Sequence, residues 1–320
     1  MTENVLITGG LGYLGGRITR TLAGSPGFSV WVTTRRGECP PCPWLPPDRC
    51  LQMALANDHE VRAACEEMDI IIHLAALNEH ESLADPMRAL LVNGAGTLKL
   101  LEAAIAAGVR RVIYFSTAHV YGSPLIGRIT EATVPRPVHP YAITHRIAED
   151  FVLAAWSQGS LDGIVIRLSN GIGAPVLAEV NRWTLVGNDL CRQAVVDHAL
   201  RLRTPGLQER DFIPLSDVVR GTEHLMTLEK ESIGDGLFNL GGECSMTIRD
   251  LAQLIRERCS EVLGFSPDIH VPPAGEQSPG VPLDYSIDKL KATGFHLKGS
   301  VEDEIDATLA FCREHFGPGS

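Results

Sequence analysis

A doubly wound α/β fold, with a smaller, discontinuous α/β lid over its parallel sheet, is the architecture this sequence predicts. Three observations carry it. Strand-like apolar runs alternate with helix-like segments through the first 170 residues, and those runs are apolar throughout rather than at every second position. A glycine-rich turn joins the first run to the first helix. Near-continuous apolar strands need cover on both faces, which helices on either side of a parallel sheet supply.

The first unit is Val5-Leu6-Ile7-Thr8, the turn Gly9-Gly10-Leu11-Gly12-Tyr13-Leu14-Gly15, and an amphipathic segment from Arg17 to Leu22. Glycines three apart, at 9, 12 and 15, leave the backbone bare where the strand turns. A pyrophosphate can then reach free N–H groups and the positive end of the helix. This turn predicts a dinucleotide site, with Gly9, Gly12, Tyr13, Leu14 and Gly15 contacting the cofactor.

The second strand is Phe28 to Thr33, followed by a proline-rich stretch (Pro40, Pro41, Pro43, Pro46, Pro47) that carries Cys39, Cys42 and Cys50. No second paired set stands at zinc-site spacing, so the stretch reads as a stiff surface loop with reduced thiols and no metal. Cys65, Cys191, Cys244, Cys259 and Cys312 sit among apolar residues and read as core fillers. A short strand near 50–53, a helix over 58–67, a strand over 69–75, a long helix over 87–107 and a strand over 112–116 continue the alternation. A helix over 141–158 then leads into a strand over 163–168. Ligands of such sheets sit at the carboxyl ends of the strands, which points to 9–15, 74–77, 116–121 and 168–173 as one convergent site.

Beyond residue 170 the rhythm breaks. Residues 174–211 read as loop and helix, 212–240 as a return to the sheet, and 248–263 and 301–315 as helices. The expected division is a nucleotide-binding unit over 1–173 and 212–242, and a lid over 174–211 and 243–320.

A net charge of −11 argues against nucleic acid held on a broad basic surface. A hydrophobic content of 44% with 21% charge is that of an ordinary globular protein. No stretch reads as a membrane span and no leader precedes the first strand, so the expected setting is cytoplasmic.

Two further pieces suggest chemistry. Ser116-Thr117-Ala118-His119-Val120-Tyr121-Gly122 places hydroxyls at a strand end, and Tyr141 and His145 stand at i and i+4 on one helical face. A tyrosine so placed can pass a proton to or from a hydroxyl or ketone while hydride moves to or from a nicotinamide. With the glycine turn, these segments resemble the extended short-chain dehydrogenase/reductase family, within it the nucleotide-sugar epimerase/dehydratase group (UDP-glucose 4-epimerase-like). The resemblance also covers His73-Leu74-Ala75-Ala76, Asn93-Gly-Ala-Gly-Thr97, Arg167-Leu168-Ser169-Asn170-Gly171-Ile172-Gly173, Arg210-Asp211-Phe212-Ile213, Phe238-Asn239-Leu240-Gly241 and Ile248-Arg-Asp-Leu251.

That resemblance implies a Rossmann-type sheet and a catalytic set of Thr117, Tyr141 and His145. It implies cofactor contacts from Leu74, Ala75, Ala76, Asn93 and Ser116 as well as from Tyr141 and His145. Asn170, Asn188 and Arg210 would hold a nucleotide diphosphate, and His119 would line the substrate. It also implies a homodimer through helices 87–107 and 141–158.

Three departures bear on function. His145 stands where such relatives carry lysine, and a histidine is shorter and only partly protonated near neutrality. Thr33-Thr34-Arg35-Arg36 replaces the acidic end of the second strand, so Thr34, Arg35 and Arg36 suit the 2′-phosphate of NADP, with NAD possible. Ala54 stands where an adenine-contacting aspartate is expected, and Ala118 replaces the acid of dehydrating relatives. The expectation is an NADP-dependent reductase of a nucleotide keto-sugar or similar polyol. A 4-epimerase with retained NAD, or a non-catalytic NADP-binding sensor, are the alternatives.

Overall fold

The structure, a computed structural model, describes residues 2–35, 39–273 and 281–317. Strand β1 (Glu3–Thr8) turns through Gly9 into helix α1 (Tyr13–Ala23), and strand β2 (Phe28–Thr34) follows. Strand β3 (Cys50–Gln52), helix α2 (Asp58–Cys65) and strand β4 (Ile70–His73) come next. Helices α3 (Glu79–Ala84) and α4 (Pro86–Ala89), a π-helical turn over Leu90–Ala95 and helix α5 (Gly96–Ala107) lead to strand β5 (Arg111–Thr117). Strand β6 (Gly127–Ile129), helix α6 (Pro140–Ser157), strand β7 (Asp162–Leu168) and strand β8 (Asn170–Ile172) follow. The later chain carries α7 (Val186–Asp197), β9 (Ala199–Arg201), β10 (Glu209–Pro214), α8 (Leu215–Thr227), β11 (Leu237–Leu240) and β12 (Ser245–Thr247). It closes with α9 (Ile248–Val262), β13 (Asp268–His270), β14 (Leu283–Tyr285), α10 (Asp288–Lys291) and α11 (Val301–Phe316).

Seven strands form one parallel sheet in the order β11-β7-β5-β4-β1-β2-β3. Its period of two sends neighbours to opposite faces. Val5, Ile7, Ile70, Ile72, Ile113 and Ile164 feed one core, while Leu6, Ile71, Val112 and Val165 feed the other. Helices cover both, so the fold is a Rossmann-like doubly wound sheet. The chain leaves β1 in one direction through β2 and β3, then crosses to β4 on the other side. This reversal places a crevice beyond the carboxyl ends of β1 and β4. A third core gathers Ile172, Leu190, Phe212, Ile255, Ile305 and Leu309 among α7, α9, α11 and the small β8-β10-β12 sheet.

Several expectations change. Residues 209–214 do not rejoin the large sheet; they pair with β8 and β12, and only β11 returns, beside β7. The long helix over 87–107 contains the π turn, which swings Asn93 inward and brings Gly94 against Ile147 of α6. Pro86–Ala107 is long and apolar enough to cross a bilayer by length and composition, contrary to the sequence reading; half of its most apolar window is buried in the fold. Cys39 is joined to Cys50 by a disulfide rather than left reduced, because β3 pairs parallel with β2 and sets Cys50 opposite Val32, near where the loop leaves β2. Cys244 is half-buried, while Cys65, Cys191, Cys259 and Cys312 are core residues as expected.

Candidate active site

The carboxyl ends of β1, β4, β5 and β7 open into a cleft of about 1340 Å³. Its floor begins at the glycine turn. Gly9 has φ +70°, and a Cβ on Gly15 would lie 2.2 Å from the Gly9 carbonyl oxygen, so only bare backbone lets β1 enter α1 this tightly. Gly12, Tyr13, Leu14 and Gly15 line the cleft, and the first turn of α1 holds no acidic residue. Its N–H groups have no acceptor within the helix. This cradle fits the pyrophosphate of a dinucleotide. The Tyr13 hydroxyl is turned away, donating to the Gly173 carbonyl at 2.8 Å.

The neighbouring wall is tied to β1. Thr8 Oγ1 accepts from the N–H groups of Leu74 and Ala75, both at 3.2 Å, and donates to His73 Nδ1 at 2.6 Å. His73 Nε2 in turn meets Thr97 Oγ1 at 3.0 Å. Leu74, Ala75 and Ala76 are thereby held against the cleft, as are Thr34 and Arg35 at the end of β2. Arg36 lies outside the described residues.

Thr117, Tyr141 and His145 all line the cleft, as do His119, Asn170 and Arg210. Thr117 Oγ1 accepts the His119 N–H at 3.2 Å, which leaves its own proton free to donate. The Tyr141 and His145 rings meet edge-on with centroids 4.3 Å apart. His145 Nδ1 lies 2.5 Å from the Tyr114 hydroxyl, and its Nε2 is buried without a partner among the described residues. Burial lowers His145 to about 4; the Glu79 carboxylate opposes this and Arg182 adds to it. The ring is neutral at pH 7, so it is no cation beside Tyr141. Burial and then Glu79 raise the Tyr141 phenol above its ordinary value, with Arg182 opposing. Burial favours the uncharged form of an imidazole, which sheds its proton.

The Arg210 side chain has no hydrogen bond or ion pair among the described residues, and its Nε is buried. Burial lowers its pKa. An unpaired guanidinium half-sunk in a cleft is a seat for an anion. Asn170 stands beside it, its amide donating to the Asp211 carbonyl at 3.0 Å. His119 is kept neutral by burial and by Arg210.

Two expected contacts stand behind the cleft wall instead. Asn93 accepts the Leu77 N–H at 2.8 Å and donates to Thr144 Oγ1 at 3.0 Å, so both ends of its amide are used inside the fold. Asn188 is likewise buried, taking the Tyr13 hydroxyl at 3.3 Å and donating to the Arg182 carbonyl at 3.3 Å. Ser116 reaches the cleft, but its hydroxyl donates to Glu149 at 2.5 Å. Arg167, which opens the 167–173 segment covered by the resemblance, is buried on Glu149. Sequence reasoning missed Glu79 and Arg182, an ion pair at 3.2 Å whose charges act on Tyr141 and His145. No motif marks either, since they are 103 residues apart and meet only across the cleft.

A model of the NAD dependent epimerase/dehydratase family matches residues 5–241, from β1 through β11. The chain belongs to that family. Among relatives in it, the UDP-glucose 4-epimerase of Rhizobium leguminosarum bv. trifolii is 32% identical over 276 residues, spanning 80% of this chain and 82% of its own. The dTDP-D-glucose 4,6-dehydratase of Mus musculus is 27% identical over 330 residues, 98% of this chain and 90% of its own. The UDP-glucose 4-epimerase of Thermus thermophilus, solved with NAD, superposes with a TM-score of 0.78 at 25% identity, covering 97% of this chain and 99% of that one. RMD from Pseudomonas aeruginosa, solved with NADPH, shares the fold at a TM-score of 0.78 and 23% identity, with 98% of each chain covered. The matched residues thus span the glycine turn, the Tyr141–His145 helix and Arg210 of a family described as NAD dependent epimerases and dehydratases.

Proposed function

We propose that the protein reduces a keto group on a nucleotide sugar, with Tyr141 as the proton donor. The observation that carries this reading is the pairing of a Tyr141 phenol, raised by burial, with a neutral His145. With no adjacent cation, Tyr141 keeps its proton at pH 7 and is ready to give it rather than to take one. Thr117 donates its free hydroxyl proton to the same carbonyl oxygen and orients it. Arg210 and Asn170 bind the diphosphate. Gly9, Gly12 and Gly15 hold the dinucleotide, and a bound nicotinamide supplies the hydride. Arg35, with no acid at the end of β2, favours NADP over NAD.

A 4-epimerase with retained NAD is the second reading, favoured by the Rhizobium relative and by Ala118, which offers no acid for dehydration. Denaturing fresh protein and weighing the released nucleotide separates them. Empty protein that prefers NADPH to NADH and consumes it with a nucleotide 4-keto-sugar supports reduction. Near-stoichiometric NAD supports epimerisation. Turnover lost in Tyr141→Phe, with the fold intact, rules out a non-catalytic binder.

The homodimer belongs to the same reading. Leu83, Met87 and Leu91 are exposed by 61%, 65% and 59% beside Ile143 of α6, an apolar face suited to a second copy. Leu91→Glu is expected to give monomers in light scattering.

A further inference from the structure

Tyr114 sits on β5, where the sequence gives it no motif role, and it is buried beneath His145. Its hydroxyl has one polar partner among the described residues, His145 Nδ1 at 2.5 Å. The phenolic proton therefore has one acceptor. A neutral imidazole carries a single ring proton, and a nitrogen that accepts cannot hold it. With that proton on Nδ1, the Tyr114 O–H and the bare Nε2 would both be unpaired; with it on Nε2 only one group is, and Nε2 is buried with no partner among the described residues. His145 lines the cleft at the edge of Tyr141.

We propose that Tyr114 is a positioning residue that locks His145 as the Nε2–H tautomer, so that His145 serves as an uncharged donor to a hydroxyl oxygen of the ligand beside Tyr141. This rests on the reading of Tyr141 as the site of chemistry. The groups facing His145 are Tyr114 from β5, Tyr141 from its own helix, His73 from β4, Glu79 from α3 and Arg182 of the 174–185 segment. Among them only Tyr114 bonds an imidazole nitrogen of His145. The acceptor can be a ribose hydroxyl of the cofactor or a pyranose hydroxyl of the substrate; both offer the same lone pairs.

The test is ¹⁵N NMR of histidine-labelled protein, with His145 assigned by loss of its signals in His145→Gln. The free wild type is expected to show a protonated Nε2 and a bare Nδ1, and Tyr114→Phe a mixture of tautomers. NADPH alone or UDP-glucose alone should shift the Nε2 proton, and the one that does names the source of the oxygen. In NADPH and UDP-glucose titrations, Tyr114→Phe should weaken the responding ligand about fivefold in wild type and leave it unchanged in the His145→Gln background, where an amide N–H needs no lock. A bare Nε2 in wild type, a Nε2 proton that neither ligand shifts, or an equal loss in both backgrounds overturns the proposal. A locked, ligand-responsive Nε2 in a protein that reduces no keto-sugar supports the lock while removing the reductase reading.

Discussion

Glu149 of α6 receives two arms of the Arg167 guanidinium from β7, Nε at 3.0 Å and Nη2 at 2.7 Å, with neither side chain reaching solvent. The same carboxylate takes the Ser116 hydroxyl, and Arg146 adds a further bond at 3.2 Å. Arg167 also lies over the Tyr121 ring at 4.6 Å. This cluster pins the helix that carries Tyr141 to β5 and β7, two of the strands whose ends form the cleft. An arginine within a segment covered by the resemblance is here a brace beneath it.

Removing one side of that pair should cost far more than removing both. Glu149→Gln leaves Arg167 buried without its counter-charge, which costs about 3–5 kcal/mol. Glu149→Leu with Arg167→Met should recover most of it. Urea unfolding of the three proteins checks the order, and equal losses for single and double variants would contradict it.

Gly15→Ala should block the cofactor while leaving the fold in place. The new Cβ would fall 2.2 Å from the Gly9 carbonyl, so the turn must shift away from the position that admits a pyrophosphate. Strain of about 1–3 kcal/mol translates to roughly five- to 150-fold weaker NADPH binding by calorimetry.

Arg210→Ala should act on substrate affinity. A charge-assisted bond to a diphosphate is worth about 1.5–3 kcal/mol, so KM for a nucleotide sugar should rise about ten- to a hundredfold. The affinity for NADPH should stay the same. A variant whose KM does not move would place the diphosphate elsewhere in the cleft.

Acid should weaken the fold through His145. The ring titrates near 6.5 when free and at about 4 in the folded protein. Between those values the unfolded chain binds a proton that the folded one refuses. Stability from this group is complete above pH 6.5 and falls as pH drops toward 4, by about 3 kcal/mol in all. His73, lowered to about 3 chiefly by burial, acts in the same direction. In chemical denaturation across pH 4 to 7, His145→Gln should therefore show a shallower loss than wild type, though not a flat line.

Much of the site was legible because its parts are local. Gly9, Gly12 and Gly15 must be small for a turn only seven residues long, and Tyr141 and His145 share a face by helical period alone. Arg210 followed from a short motif, and what the fold adds is a side chain with no partner among the described residues. Asn93 and Asn188 were misplaced because the type of a residue does not say which way a helix turns it. A π turn sends Asn93 inward, and the Tyr13 hydroxyl captures Asn188. The Glu79–Arg182 pair had no local signal at all.

The sequence by itself determined the alternation of elements, the two-faced apolar strands, the nucleotide cradle and the family, because each is written in neighbours a few residues apart. Only the tertiary structure decided which polar groups reach the cleft and which brace it, and that burial holds His145 uncharged at pH 7. Those outcomes depend on burial and on partners far along the chain, such as Tyr114 beneath His145 and Glu149 beneath Ser116. Desolvation and hydrogen-bond accounting have no value until the chain has folded around them.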